Sequence, residues 1–222
     1  MPEPLPSVPQ HLLDNPIIKA LLAANKDFIK VETPFDINKL ENLLIDHPNP
    51  PFVHSVLSGL CFGFWLCDDG EWKLELEEVV RNYSTDVPDL KAICAFQDRE
   101  QAAGCWSSKI PQLLPGMKTS PMFVVWQGKP RVVTDHSGSG INDHIPCEDA
   151  KVRYNNMHDF ERCLCDAHHA HPGRRLVLFK DDVASAFLNL PAYPIWQLCQ
   201  VVSVDSKLYI VWCFVFGNWA SP

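Results

Sequence analysis

The sequence predicts an α+β fold in which a mainly helical first part is followed by a small, incomplete sheet. Three observations carry that expectation. Apolar residues recur at helical spacing in four segments before residue 114. Beyond Pro121 many of them instead come as short continuous runs parted by turn residues. Pro115, Gly116 and Pro121 punctuate the change between the two regimes. With 222 residues, 46% of them hydrophobic and 21% charged, the chain has the balance of a globular protein able to bury a core.

Residues 1–10 carry four prolines and no periodicity, so they read as a proline-rich tail. A helix follows, with Asn15 as cap, Pro16 at the first helical position and a stripe of Ile17, Ile18, Leu21 and Leu22. A second starts at Asp36, sets Ile37, Leu40, Leu43 and Leu44 on one face, and stops before Pro48. Phe52, Val53, Val56, Leu57 and Leu60 predict a third, ending near Gly63. Residues 88–103 predict a fourth, stopped by Gly104. Residues 11–114 thus form the mainly helical region, and residues 115–222 the sheet-bearing one. There, residues 122–126 suit a buried strand, 127–130 a turn and 131–135 the returning strand. Met157, Phe160 and Leu164 fit a helix over 156–170 that breaks at Pro172 and Gly173. Residues 176–180 read as a strand, and 198–204 and 208–216 as a hairpin turning at Asp205, Ser206 and Lys207.

Several function classes are disfavoured. The most apolar stretch, 195–219, is interrupted by Asp205 and Lys207, so no membrane span is expected. The N-terminus has neither a basic nor an apolar leader region, which points to an intracellular protein. Nine cysteines without a Cys-x-x-Cys pair argue for free thiols. Cys163, Cys165, His168, His169 and His171 are the one local cluster; helical spacing sets Cys165 beside His168 or His169, leaving a metal site as the alternative to a solvated face. The net charge of −8 opposes nucleic-acid binding unless an acidic exterior coexists with a basic groove.

The residues richest in chemistry are the apolar run Leu176, Val177, Leu178 and Phe179, which leads through Lys180 to Asp181 and Asp182. Carboxylates at a strand end suit Mg²⁺, a hard ion that prefers oxygen ligands and substrate phosphates. An acidic start to a short helix is the alternative, and a metal-dependent hydrolase around the two aspartates is a further one, for which no general base is spaced. Downstream, Phe216, Gly217, Ser221 and Pro222 stand as Phe-Gly-x-x-x-Ser-Pro. Asp182, Ala186 and Phe187, as Asp-x-x-x-Ala-aromatic after a strand, resemble the first palm motif of reverse transcriptases, and the Phe216 to Pro222 motif resembles their second. Ser120, Pro121 and Met122, then Lys129, Pro130, Arg131 and Asp135, then Asn142, are similar to the family's fingers hairpin. Pro51, Phe52 and Val53, with Gly59, Gly63, Phe64 and Trp65, resemble the leader of fungal retroelements of the tyrosine-recombinase, DIRS-like type.

The resemblance implies partial fingers and palm over residues 115–222. Asp182 would be the first metal-binding aspartate for Mg²⁺, with the carbonyl of Val183 sharing the ion. Phe187 would be the steric gate against a 2′-hydroxyl. Arg131, with Lys129 nearby, would grip the triphosphate, and Gly217 would let backbone approach the templating base pair. The implied partners are deoxynucleotides and an RNA or DNA template-primer. The sequence departs from the family at Trp126 and Gln127, where a further basic residue is expected, and in the long Gly/Ser-rich loop before Asn142. Cys199, Trp212, Cys213 and Trp219 stand where the family usually carries Arg, so restoring Arg there is expected to strengthen nucleic-acid binding. No Tyr-x-Asp-Asp motif occurs in these residues. The expectation is therefore a truncated, inactive RNA-directed DNA polymerase fragment, or a non-catalytic folded remnant with nucleic-acid or protein binding only. Its final hairpin is expected to show an unpaired, aggregation-prone edge.

Overall fold

In the computed structural model of the chain, residues 3–66, 76–83, 86–145, 156–178, 180 and 186–215 are described. Among them the fold is mixed α and β, with seven α-helices and two two-stranded antiparallel sheets. The first helices are α1 (Gln10–Asp14), α2 (Pro16–Ala24), α3 (Ile37–Leu43), α4 (Pro50–Phe62) and α5 (Val87–Ala102).

Local chemistry sets several of the helix ends. The Asn15 side chain accepts from the N–H groups of Ile17 and Ile18, Asp36 from Lys39 and Asn49 from Phe52, so each satisfies donors a helix start leaves orphaned. Gly63 closes α4 at φ 93°, and a Cβ there would lie 2.5 Å from Tyr193 Cα and 2.6 Å from the Ala192 carbonyl oxygen. Its bare backbone lets Phe64 exchange hydrogen bonds with Pro191 and Tyr193 at 2.8 and 3.0 Å.

Two helical expectations need correction. The proline-rich start is seated on the molecule: Leu5 N–H donates to Ser55 Oγ at 2.9 Å, and α1, which periodicity does not announce, buries Leu12. Conversely α3 forms where its cap predicts but buries no residue, and Leu43 is 73% exposed. A cap and a stripe specify a helix; only a neighbour buries it.

Strands β1 (Met122–Gln127) and β2 (Lys129–Thr134) form the first hairpin, in register from Met122 opposite Thr134 to Gln127 opposite Lys129, with Gly128 at φ 73° in the tip. The strand expected to be buried is buried only at Met122. Its far end projects, and the Trp126 indole N–H donates to Asp89 of α5 at 2.8 Å. The helix expected over 156–170 is α6 (Met157–Ala170), opened by a reciprocal capping box between Asn156 and Asp159. It too buries nothing among the described residues. The strand expected over 176–180 is absent among its described residues, and Val177 stands 75% exposed. A strand needs a partner's backbone, and the second hairpin is already flanked by other segments.

That hairpin follows the short α7 (Pro194–Gln197) and comprises β3 (Val201–Val204) and β4 (Lys207–Ile210), shorter than the 198–204 and 208–216 expected. Its edges are covered, contrary to expectation. Beside β3, Ser120 N–H donates to the Val201 carbonyl at 2.8 Å and Val201 N–H to Lys118 at 3.1 Å. Beside β4, Ser107 and Ile110 donate to the Ile210 and Leu208 carbonyls, each at 2.9 Å. Asn82 links the hairpins, donating to the Ser203 carbonyl and accepting from Met122 N–H, both at 2.9 Å.

Both faces of the second hairpin are packed. Val201 and Ile210 meet Leu21, Ile110, Met117 and Leu198 on one side. Val202, Val204 and Tyr209 meet Ile93, Trp106 and Met122 on the other. A further cluster gathers Leu12 and Ile18 with Trp65, Ile195 and Trp196, the two indoles edge to face at 5.9 Å. Each cluster draws residues from before and after residue 115.

Candidate functional site

The first hairpin, α5 and the segment after the second hairpin enclose a cleft of about 1130 Å³. Ala92, Ala95, Phe96 and Arg99 of α5, with Ala103 just past its end, form one wall and residues 129–134 of β2 another. Cys105, Cys213 and Val215, with Leu188 and Asn189, line the rest, and Glu32, Thr33 and Pro34 reach the rim. Those last three belong to a strap held across the molecule. Trp212 Nε1 donates to the Phe28 carbonyl at 2.6 Å, Gln197 Nε2 to the Lys30 carbonyl at 2.7 Å, and Thr33 Oγ1 to the Asn189 carbonyl at 3.1 Å.

The charges around the cleft are unevenly committed. Glu100 is buried and receives Arg99 Nε at 2.9 Å, while Glu32 is paired with Lys30 Nζ at 2.7 Å. Lys129 and Arg131 are exposed and have no ion-pair partner among the described residues. Among the described residues, the rim therefore carries two cations without an ion-pair partner, on a chain of net charge −8.

Of the residues singled out from sequence, Lys129 and Arg131 share this cleft. Phe187 does not line it; it lies in the 3-10 turn Ala186–Asn189 and packs against the cluster around Leu12 and Trp65, while its neighbours Leu188 and Asn189 face the cleft. Asp182, Val183 and Gly217, along with Asp181 and Trp219, lie outside the described residues. No group of three His, Cys, Asp or Glu side chains is placed to hold a metal among the described residues. On α6 the His169 ring is hydrogen-bonded to the Cys165 carbonyl at 2.7 Å. Glu32 and Glu100, the carboxylates that line the described part of the cleft, are both paired with cations.

The loop from Asp135 to Asn142 is built as a unit. Asp135 accepts from Ser137 and Gly138 N–H at 3.0 and 2.9 Å and from the Tyr83 hydroxyl at 2.8 Å. Partial burial opposes its ionisation, but these donors and the neighbouring His136 hold the carboxyl below its ordinary value. His136 is fully buried, and burial lowers it from 6.5 to about 4 although Asp135 pulls the other way. Asn142 Nδ2 donates to Ser137 Oγ at 2.8 Å, so the Asp and Asn of the hairpin motif serve the shape of the loop.

Two features were not foreseen. The strap had no sequence signal, because its anchors are side chains more than a hundred residues away. Of the residues that stand where the resembling family carries Arg, Cys199 and Cys213 are buried in core clusters, and Trp212 lies under Lys30 Nζ at 5.1 Å. Arg at Cys199 would bury a charge among the apolar side chains of that cluster at a cost of several kcal/mol. Restoring it there is expected to unfold the chain rather than improve binding. No model of a known protein family matches the chain, and no curated protein matches it. No described helix is long and apolar enough to cross a membrane.

Proposed function

We propose that residues 115–222 correspond to the fingers and the first part of the palm of a retroelement reverse transcriptase, and that the chain binds template-primer or nucleotide without polymerising DNA. The observation that carries the reading is the cleft itself. Lys129 and Arg131, residues 188–189 just after Phe187, and Cys213 and Val215 just before Phe216 and Gly217 are far apart in sequence yet line one cavity. In the resembling family those segments surround the incoming nucleotide. Arg131 would supply a planar fork for phosphate oxygens and Lys129 a point charge.

Catalysis is a different matter. Two-metal phosphoryl transfer requires several carboxylates around the ions, and Asp182 is the only one of the family's set with a counterpart in this sequence. Purified with template, primer, Mg²⁺ and deoxynucleotides, the chain should give no primer extension, provided cooperative thermal unfolding first shows the sample to be folded. Template-dependent extension abolished by Asp182→Asn would overturn the inactive reading. A second reading, a folded remnant that binds a protein partner, is favoured by α6, where Met157 and Phe160 are 76% and 44% exposed on a well-capped helix.

A further inference from the structure

We propose that Cys105 and Cys213 form a redox-active dithiol in the wall of the cleft, a modification site for small anionic disulfides of the glutathione type. The two residues are 108 positions apart in sequence and are brought together by pairing around the second hairpin. Trp212 N–H donates to the Cys105 carbonyl at 2.9 Å, and Trp106 bridges Val211, so Cys213 follows directly on the residue bonded to Cys105. Both cysteines belong to one buried cluster, with Trp106, Tyr209 and Val211. Both side chains are buried, at 8% and 5% exposure, yet both line the same large cavity. Buried thiols in apolar surroundings are ordinarily inert. This pair differs in having a cavity in front of it and a second thiol in the same wall.

The two thiols divide their roles by charge. Donation from the Cys213 thiol lowers Cys105 below its ordinary value, although burial and the nearby Glu100 oppose this. Cys213 is raised correspondingly, first by that hydrogen bond and then by burial. Cys105 is therefore the attacking sulfur and Cys213 the resolving one. The Cys105 thiolate attacks one sulfur of the reagent, whose S–S bond breaks as the Cys105 S–S bond forms. The departing half takes up the proton Cys105 released. Cys213 then loses its proton and attacks Cys105 Sγ, expelling the second half as a thiol. Two protein thiols are oxidised to one disulfide while the reagent is reduced to two thiols. The rim suits such a reagent, because Lys129 and Arg131 attract its carboxylates.

The test is peptide mapping by mass spectrometry of the folded full chain exposed to oxidised glutathione. The expected result is a mixed disulfide on Cys105 followed by a Cys105–Cys213 disulfide. Cys213→Ser should arrest at the mixed disulfide, and Cys105→Ser should leave Cys213 reduced. Replacing Lys129 and Arg131 by Ala should slow the first step about tenfold. Wild-type mapping decides even if the cysteine variants do not fold. Modification of the exposed Cys61, Cys163 and Cys165 with Cys105 and Cys213 still reduced would overturn the proposal.

Discussion

A buried imidazole ties the stability of the loop beside β2 to pH. His136 is fully buried with a pKa of about 4 against 6.5 for a free side chain. Between those values the unfolded chain holds a proton that the folded chain does not, so folding loses stability as pH falls through this window. The full effect is about 3 kcal/mol by the usual conversion. Asp135, held below its ordinary value, adds to the loss at lower pH, where its carboxylate becomes protonated. Urea midpoints measured at pH 7 and 4.5 should fall markedly for the wild-type chain and less for His136→Gln. An equal fall in both would mean that the buried neutral ring is not the source. None of this was legible beforehand: sequence names a histidine after an aspartate, but only the loop's closure over it shows that it is buried.

Among the elements, legibility followed the range of the interactions that define them. The starts of α2 and α3 could be read because Asn15 and Asp36 bond to N–H groups within three residues of themselves. What α3 and α6 pack against could not, because an apolar stripe does not name its partner. The 176–180 strand failed for the same reason, whereas β3 and β4 succeeded through a two-residue turn. That turn holds Asp205 at φ 48° and Ser206 at φ 58°, the left-handed region that hairpin turns of this kind fill with Asn-Gly. A side chain at such a position costs about 1 kcal/mol relative to glycine. Ser206→Gly should raise the urea midpoint and the thermal midpoint, the latter by about 2–4 °C. A lower midpoint would show that the serine side chain contributes more than its backbone conformation costs.

Across the whole molecule, the centre of the fold is the second hairpin, clamped on both edges and packed on both faces. Sequence suggested an exposed edge there because it registers which strands come next, not which loops return. The segments around Ser107 and Thr119 cover those edges from over eighty residues away. The cleft is likewise a long-range product. Its basic residues were legible as a pair on a hairpin, but their convergence with residues 188–189, Cys213 and Val215 was not. For a chain of net charge −8, nucleic-acid binding would require such a local concentration of cations. The most direct measurement is equilibrium binding of a primer–template duplex by fluorescence anisotropy between about 50 and 200 mM salt. The account predicts that Lys129→Ala with Arg131→Ala weakens binding and flattens the slope of log affinity against log salt by about 2. A folded wild-type chain that does not bind at the lowest salt, or a double variant with unchanged affinity and slope, would contradict it.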